Sequence, residues 1–392
     1  MNERKDKFST KMLETPPSGI RKFFDLIIGR DDIISLGVGE PDFPTPWLMR
    51  EEAYYHLEQG HTSYTSNWGL LELREEIAKY LQKYNLDYNP KKEILVTIGV
   101  SEAVDAVLRA ILNPQDEIII CEPCYVSYQP LAELCDTKLI RFDTSNTNFY
   151  PTAEELEKVI SPKTKAIMLC SPSNPTGKMI PKDELEKIAK LAQKHKIWVL
   201  SDEVYSELVY DENAHCSIAS FPGMKDYAIV LNGFSKAFAM TGWRIGYVCC
   251  PPDLMEQVHK LHQYSTICAP IMSQYAAAEG LRSGASEVEK MRLSYQQRRN
   301  LMTSKLDEMD IPYIEPEGAF YIFVDIRKTG LSAEDFATKL INEYQVAVVP
   351  GSVFGKAGEG FVRCCYATEI KKLKIALERI KKMVQDLQRK NS

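Results

Sequence analysis

Short apolar runs alternate with amphipathic stretches through the middle of the chain. Glu93–Ile98 has the composition of a buried strand. In Glu102–Leu112, apolar residues such as Ala103 and Val107 recur at helical spacing. The elements that the same two patterns predict further along are, in chain order, the strands Glu117–Cys121 and Lys165–Cys170, the helix Pro181–His195, and the strands Ile197–Ser201, Ala228–Asn232 and Ile245–Cys250. Apolar strands that alternate with helices are typical of a parallel sheet covered on both faces, so we predict an α/β fold.

The pattern changes after about residue 285. The elements predicted beyond it are the charged helix Ser286–Met309, the strands Tyr321–Val324 and Val346–Val349, and the Lys-rich amphipathic helix Ile370–Gln388. The segment through Pro44 is rich in proline and glycine, and we expect it to pack on these later elements. The sequence therefore predicts a large domain over residues 45–285 and a smaller α+β domain formed by both chain ends, residues 1–44 and 286–392.

Composition narrows the class of protein. The chain has 392 residues, of which 44% are hydrophobic, which excludes a disulfide-stapled mini-protein and disfavours a disordered chain. The net charge of −6 disfavours a nucleic-acid binder without eliminating it, because such proteins usually have a basic excess. Residues 1–11 are polar, and no run of about 18 apolar residues occurs, so secretion and membrane insertion are not expected. We predict a soluble, cytoplasmic protein, a class rich in enzymes.

Ten cysteines occur, several of them inside apolar runs, as expected for reduced, buried thiols. The spacing of Cys121 and Cys124 resembles half of a zinc site, but no second pair and no partnering His pair follows at zinc-finger spacing. His259 and His262 stand three residues apart without the glutamate of a zinc-protease helix. We therefore predict no metal.

Polar residues follow several predicted strands, at the edge where ligands bind in an open α/β sheet. Gly99 closes one strand and Ser101 opens the next helix, whose first-turn N–H groups suit a phosphate. An ordinary helix cap at Ser101 is the more common explanation of this pattern. Asp202 ends another strand, where an active-site acid, a helix cap and a structural ion pair are all open. Neither segment identifies a function by itself.

Two further segments contain functional groups. In Ser171–Lys178 the Pro and Gly residues demand a sharp turn, which places Asn174 at the carboxyl edge of the sheet, although a plain turn fits as well. Lys236 follows the strand Ala228–Asn232 within an apolar stretch, where desolvation favours the amine that a Schiff-base nucleophile requires. Arg244 can neutralise a phosphate by a two-point contact. The lysine segment is the most specific signal in the chain.

At these segments the chain resembles the class I and II aminotransferases, which are fold type I pyridoxal-phosphate enzymes, over essentially its whole length. The residues that meet every fixed position of that family's lysine signature are Gly233, Ser235, Lys236, Ala239, Gly242, Arg244 and Gly246. Five further motifs occur in the family's order, namely Gly37–Phe43, Tyr64–Thr65 with Gly69, Ser173–Gly177, Ser201–Tyr205 and Phe361–Arg363. The resemblance implies the type I fold, a large domain with a mostly parallel seven-stranded sheet sandwiched by helices plus a smaller α+β domain.

The resemblance also implies catalytic roles for residues of this chain. Lys236 is implied to hold pyridoxal 5′-phosphate covalently and then to move the substrate's Cα proton. Asp202 is implied to keep the cofactor's ring nitrogen protonated. Asn174 and Tyr205 are implied to hydrogen-bond the phenolic oxygen, and Tyr125 to stack on the ring.

The same resemblance implies the remaining contacts. The groups expected to bind the cofactor phosphate are the backbone N–H groups of Val100, Ser101 and Glu102 and the side chains of Ser235, Arg244 and Tyr64. Because Tyr64 is implied to reach in from a neighbouring subunit, a homodimer with shared active sites is expected. Arg363 is implied to bind the substrate's α-carboxylate through a two-point fork, beside the Gly39 backbone. Cis peptide bonds are implied before Pro123 and Pro175.

Departures from the family pattern concern the substrate and the phosphate. Enzymes of the nearest branch that act on acidic substrates have a lysine where this chain has Ser101, so a strong aspartate preference is not expected. No residue in Lys260–Pro270 matches the family's alternative arginine for a distal carboxylate. Gly233 stands where the family has a serine that contacts the phosphate. The residues that could shape an apolar side-chain pocket, although plain packing is their more common role, are Phe23, Phe24 and Trp68.

The leading hypothesis is a transaminase that transfers the amino group of an L-amino acid to a 2-oxo acid such as 2-oxoglutarate in two ping-pong half reactions. Aromatic or large neutral amino acids are expected to react better than aspartate. A pyridoxal-phosphate lyase that performs β- or γ-elimination is the alternative, because cofactor residues alone do not set the reaction type. A non-enzymatic sensor is the remote alternative, disfavoured because no helix-turn-helix pattern precedes Gly37.

Overall fold

The computed structural model describes residues 7–21, 29–30 and 32–391 of the chain. Phe23 and Phe24, two candidates for the apolar pocket, lie outside the described residues. The helices are Thr10–Glu14, Trp47–Glu58, Leu71–Leu81, Gly99–Ile111, Tyr128–Glu133, Ala153–Val159, Lys182–His195, Pro252–Ser265, Ile271–Ser283, Ala285–Glu308, Ala333–Tyr344 and Ile370–Asn391. No described helix combines the length and the apolar composition that crossing a membrane requires.

The strands form three sheets within the described residues. In chain order they are β1 (Ile34–Ser35), β2 (Ile94–Thr97), β3 (Glu117–Glu122), β4 (Lys138–Asp143), β5 (Thr164–Cys170), β6 (Trp198–Asp202), β7 (Ala228–Gly233), β8 (Gly246–Cys249), β9 (Tyr313–Ile314), β10 (Tyr321–Asp325), β11 (Val346–Ala347), β12 (Val349–Pro350) and β13 (Phe361–Cys365). The largest sheet has seven strands in the order β2-β8-β7-β6-β5-β3-β4. Only β8 runs antiparallel to its neighbours, which confirms the predicted mostly parallel sheet.

The large sheet is covered on both faces, as the apolar runs predict. Successive residues of β2 enter different buried clusters, Ile94 and Val96 on one side and Leu95 on the other. Six of its strands were predicted from the sequence to within one residue at each end, because both of their faces are apolar. The seventh, β4, lies at the edge of the sheet, and of its six residues only Phe142 is buried, so it lacks that pattern.

Two smaller sheets follow in the later part of the chain. One has the order β12-β13-β10-β9, and the other pairs β1 with β11 in parallel. The predicted single strand Val346–Val349 is wrong, because Val346 pairs with Ile34 whereas Val349 pairs with Arg363 of another sheet. Leu36, near the chain start, shares a buried cluster with residues of these later elements.

Candidate active site

The parallel strands bring the predicted site residues to one edge of the large sheet, because the carboxyl ends of parallel strands meet there. A cavity of about 570 Å³ opens at this edge, a size typical of small-molecule sites. The predicted residues that line it are Gly39, Val100, Ser101, Tyr125, Asn174, Asp202, Tyr205, Ser235, Lys236, Arg244 and Arg363. Residues that are far apart in the sequence therefore line one continuous cavity.

Lys236 follows β7 and extends into this cavity. Its Nζ donates a hydrogen bond to the backbone oxygen of Gly39 at 2.7 Å. Burial, assisted by the positive charges of Arg363 and Arg244, lowers the pKa of Lys236 to about 8. About a tenth of the side chain is therefore free amine at pH 7, far more than for a lysine in water, and this amine can act as a nucleophile and a base.

Asp202 is the last residue of β6, and its carboxylate is buried at the cavity. The Tyr128 hydroxyl donates to Asp202 Oδ2 at 2.5 Å, and the Val204 N–H donates to Oδ1 at 3.2 Å. Burial raises the pKa of Asp202 to about 6, while the bond from Tyr128 opposes this rise. A buried carboxylate of this kind gains from a cationic partner in the cavity.

Arg363 lies on β13 and reaches the cavity from the smaller sheet. Its side chain is 2% exposed, Nη1 donates to Asn174 Oδ1 at 2.9 Å, and Nη2 donates to the Gly37 oxygen at 2.6 Å. Nε is buried without a hydrogen-bond partner among the described residues. Since buried donors are normally satisfied, this group is available to an anionic ligand.

A pair of tyrosines closes the side of the cavity between Lys236 and Arg363. The hydroxyls of Tyr205 and Tyr321 are 2.9 Å apart, and Tyr321 donates to the Gly39 oxygen at 3.4 Å. A Cβ atom at position 39 would lie 2.4 Å from the Tyr321 hydroxyl, so any larger residue there would displace the Tyr321 side chain. Burial raises the pKa of both phenols, which keeps them neutral donors.

The anion-binding end of the cavity lies at the start of helix Gly99–Ile111. Gly99 has a φ of +72°, and a Cβ atom there would lie 2.7 Å from Arg244 Nη2. Gly246 of β8 packs equally closely on the backbone of Val100. The start of this helix and the Arg244 guanidinium therefore lie side by side at the cavity, an arrangement that suits an anion.

Some predicted residues lie elsewhere. Tyr64 is 82% exposed and does not line the cavity of its own chain. The Glu102 side chain folds back from the cavity, and its Oε2 accepts the Ile98 N–H at 2.5 Å. Trp68 stacks on His259 with ring centroids 4.1 Å apart, so its role is packing rather than shaping this cavity.

Sequence reasoning missed two tyrosines of the site, Tyr128 and Tyr321. The hydroxyl of a tyrosine that is buried among apolar residues usually has a polar partner. The apolar sequence around each tyrosine was therefore the one indication that its hydroxyl takes part in a polar site. The implied cis bonds before Pro123 and Pro175 are present, and a third precedes Pro172. Cys121 and Cys124 are free, and burial raises the pKa of Cys121 to about 12, which disfavours the thiolate that metals bind.

The site fits the cofactor that the resemblance implies. An amine with a lowered pKa, a buried carboxylate and an anion-binding helix start line one cavity, at Lys236, Asp202 and Gly99. The unpartnered Nε of Arg363 adds a place for a substrate carboxylate. These are the complementary groups for pyridoxal 5′-phosphate, which has an aldehyde, a ring nitrogen and a phosphate.

Comparisons with known proteins identify the family of the chain. The profile of the family described as aminotransferase class I and II matches residues 31–380. The aromatic-amino-acid aminotransferase 2 of Thermococcus litoralis (strain ATCC 51850 / DSM 5473 / JCM 8560 / NS-C) is 45% identical over 374 residues, 94% of this chain and 96% of the relative. The aspartate aminotransferase of Pyrococcus abyssi (strain GE5 / Orsay) is 46% identical with the same coverage. The crystal structure of the aromatic aminotransferase from Pyrococcus horikoshii OT3 superposes with a TM-score of 0.89 at 43% identity, covering 93% of this chain and 99% of that one.

Proposed function

The chain belongs to the aminotransferase class I and II family, and from that premise we propose which residues act and which amino acids react. It is a pyridoxal-phosphate-dependent amino-acid aminotransferase, so the predicted transaminase is confirmed. We propose that it transfers the amino group of an aromatic or other large neutral L-amino acid to a 2-oxo acid, with 2-oxoglutarate as an acceptor. The transfer proceeds in two ping-pong half reactions.

The assignment of residues depends on the position of Lys236, Asp202 and Arg363 around one cavity, and the lowered pKa of Lys236 supports it. When bound, pyridoxal 5′-phosphate supplies an aldehyde carbon that takes up the amino group and a ring that withdraws electrons. Lys236 Nζ would hold the cofactor through that carbon, and its free amine would serve as the base for the proton at the substrate's Cα. The Asp202 carboxylate accepts the hydrogen bond of the protonated ring nitrogen, and Tyr125 stacks on the ring.

The substrate carboxylate is bound by Arg363 in this proposal. Two observations support it: the guanidinium is buried beside Gly37 and Asn174, and its Nε has no partner among the described residues. Asn174 and Tyr205 donate to the phenolic oxygen of the cofactor. The Gly39 backbone borders the same space, because its oxygen contacts Lys236.

The phosphate is bound at the start of helix Gly99–Ile111, and a second subunit completes the site. The groups assigned to the phosphate are the N–H groups of Val100, Ser101 and Glu102, the side chains of Ser235 and Arg244, and Tyr64 from the neighbouring subunit. The exposure of Tyr64 outside its own cavity supports this homodimer with shared sites. Sedimentation should give twice the chain mass of 44.6 kDa, and a monomer with full cofactor affinity would contradict the proposal.

The chain divides, in our proposal, into a large domain over residues 45–285 and a small domain over residues 1–44 and 286–392. Leu36 shares a buried cluster with helices Ala333–Tyr344 and Ile370–Asn391, which supports placing the start of the chain in the small domain. The same cluster extends to Leu208 and Tyr210, where the two domains are in contact. Limited proteolysis should cut first between the two units, whereas a first cut within the seven-stranded sheet would contradict it.

The preference for large neutral side chains follows from the charges that line the cavity. Among the described lining residues the cationic side chains are Lys236, Arg244 and Arg363, and each has an assigned partner. The distal carboxylate of aspartate would therefore meet no further cation among the described residues of its own chain, since position 101 has a serine hydroxyl. Apolar lining residues such as Ile20 and Val38 suit a large neutral side chain. Besides Ser235, which is assigned to the phosphate, the serines that line the cavity are Ser18, Ser101 and Ser127, and we assign their hydroxyls to the distal carboxylate of 2-oxoglutarate.

A half-reaction screen tests the substrate proposal. The pyridoxal-phosphate form is mixed with single amino acids, and the absorbance change to the pyridoxamine form is recorded. Phenylalanine, tyrosine and leucine should convert the enzyme faster than aspartate at equal concentration. A clear aspartate optimum would show that the charge argument at Ser101 is wrong.

A further inference from the structure

Glu102 bends its carboxylate back onto the turn that begins helix Gly99–Ile111. Its Oε2 accepts the N–H of Ile98, the residue before the helix, at 2.5 Å. Gly99 then adopts a φ of +72°, which lies outside the helical region. The carboxylate thus fixes the strand-to-helix turn from within, leaving the first-turn N–H groups free for the proposed phosphate site.

His262 holds this carboxylate from the neighbouring helix Pro252–Ser265. It is fully buried, and its Nδ1 lies 2.6 Å from Glu102 Oε1. Since an ionised carboxylate only accepts, Nδ1 donates in this bond. Thr266 adds a second donor to the same oxygen at 3.3 Å. Because the bond from His262 is the shorter of the two, His262 supplies the principal restraint on Oε1.

The hydrogen bond from His262 also determines where the negative charge of Glu102 lies relative to the proposed phosphate site. A carboxylate within the first turn of a helix opposes the binding of a second anion at the same N–H groups. Donors from Ile98, Thr266 and His262 direct the Glu102 charge away from the cavity, and its side chain does not line that cavity. Removing His262 would release the carboxylate and loosen the turn together.

We propose that His262 is a positioning residue for the cofactor phosphate, and that it acts through Glu102 on the turn at Gly99. The inference rests on the phosphate site of the proposed function. It concerns the phosphate alone, because neither residue lines the part of the cavity formed by Lys236 and Asp202.

Titration of apoenzyme with two ligands tests this role. Pyridoxal 5′-phosphate and pyridoxal both react with Lys236, but only the first has the phosphate. In His262→Ala the dissociation constant for pyridoxal 5′-phosphate should rise about tenfold, the size expected for losing a hydrogen bond to a charged group, while that for pyridoxal stays the same. His262→Asn, whose side-chain amide can donate in place of Nδ1, should recover most of the loss.

His259→Ala is the matched control, because His259 lies on the same helix but stacks on Trp68. It should leave both dissociation constants unchanged. Equal weakening of both ligands in His262→Ala, or no weakening of either, would overturn the positioning role. Wild-type apoenzyme that captured neither ligand at Lys236 would instead overturn the proposed function itself.

Discussion

Lys236 Nζ and the backbone oxygen of Gly39 are joined by a hydrogen bond of 2.7 Å, although the two residues are 197 positions apart in the chain. Gly39 belongs to the segment before the large sheet, and Lys236 follows a central strand of that sheet. A carbonyl oxygen accepts from an amine as well as from an ammonium group, so the bond orients Lys236 without requiring its charge. The two segments therefore place the amine before any ligand binds.

Replacing Lys236 with alanine should abolish multiple turnover. The change removes both the attachment point of the cofactor and the base at the substrate's Cα, and losses of about a thousandfold or more are expected when two such roles are lost together. Turnover and the cofactor's absorption spectrum measure the two roles separately. Full multiple turnover with an unchanged spectrum would refute the assignment of Lys236.

The sheet was predictable from the sequence to the extent that its strands are buried on both faces. β5 and β7 are almost entirely buried and rich in apolar residues, so the sequence predicts them, whereas only Phe142 of the edge strand β4 is buried and that strand was missed. Val346–Val349 has the composition of one strand, but its two halves pair with different sheets. Pairing of this kind depends on residues distant in the chain, which local composition does not reveal.

The candidate site was predictable where a motif places a group at a strand end. Asp202, Asn174 and Lys236 all line one cavity for that reason. Tyr128 and Tyr321 were missed because their roles depend on hydrogen bonds to residues distant in the chain. The Tyr128 hydroxyl contacts Asp202, and the Tyr321 hydroxyl contacts Tyr205. The Lys236 pKa likewise depends on burial that only the folded chain produces.

The pH dependence of Lys236 reactivity follows from its lowered pKa. Because burial favours the neutral amine, the amine fraction in apoenzyme should rise about tenfold per pH unit below pH 8 and level off above it. Acetylation of Lys236, followed by mass spectrometry across pH 6 to 11, measures this fraction. A lysine in a short peptide serves as the control, and a Lys236 midpoint equal to the peptide's would contradict the assigned burial effect.

Tyr128→Phe tests whether the hydrogen bond from Tyr128 keeps Asp202 ionised. The Tyr128 hydroxyl lowers the pKa of Asp202 against the larger effect of burial, so its loss should raise that pKa above about 6. The Asp202 carboxyl group is then protonated over a wider pH range. As the pH falls, it therefore loses the negative charge that stabilises the protonated ring nitrogen. We expect kcat to fall about tenfold, with a larger loss at pH 6 than at pH 8. A pH profile parallel to that of the wild type would contradict this role.

Gly246→Ala should displace the turn at the phosphate end of the site. The added Cβ would lie 2.8 Å from the carbonyl carbon of Gly99 and 2.9 Å from the Val100 nitrogen, so the backbone must shift. We expect a loss of about 1–3 kcal/mol in the free energy of unfolding, together with weaker cofactor binding. Gly242→Ala is the control, because nothing lies within 4 Å of the atom added there. Equal melting temperatures for the two variants would show that the contact at Gly246 is relieved without cost.

Ser101→Lys should shift the amino-acid preference toward aspartate. The substitution places a cation on the cavity wall, where a distal carboxylate otherwise meets only hydroxyl groups. A partly desolvated ion pair should raise the aspartate half-reaction rate relative to phenylalanine by about tenfold, and added salt should reduce the gain. Ser101→Met, which adds a side chain of similar length without charge, is the control. If the methionine variant shifts the preference as far as the lysine variant does, the shape of the cavity rather than its charge selects the substrate.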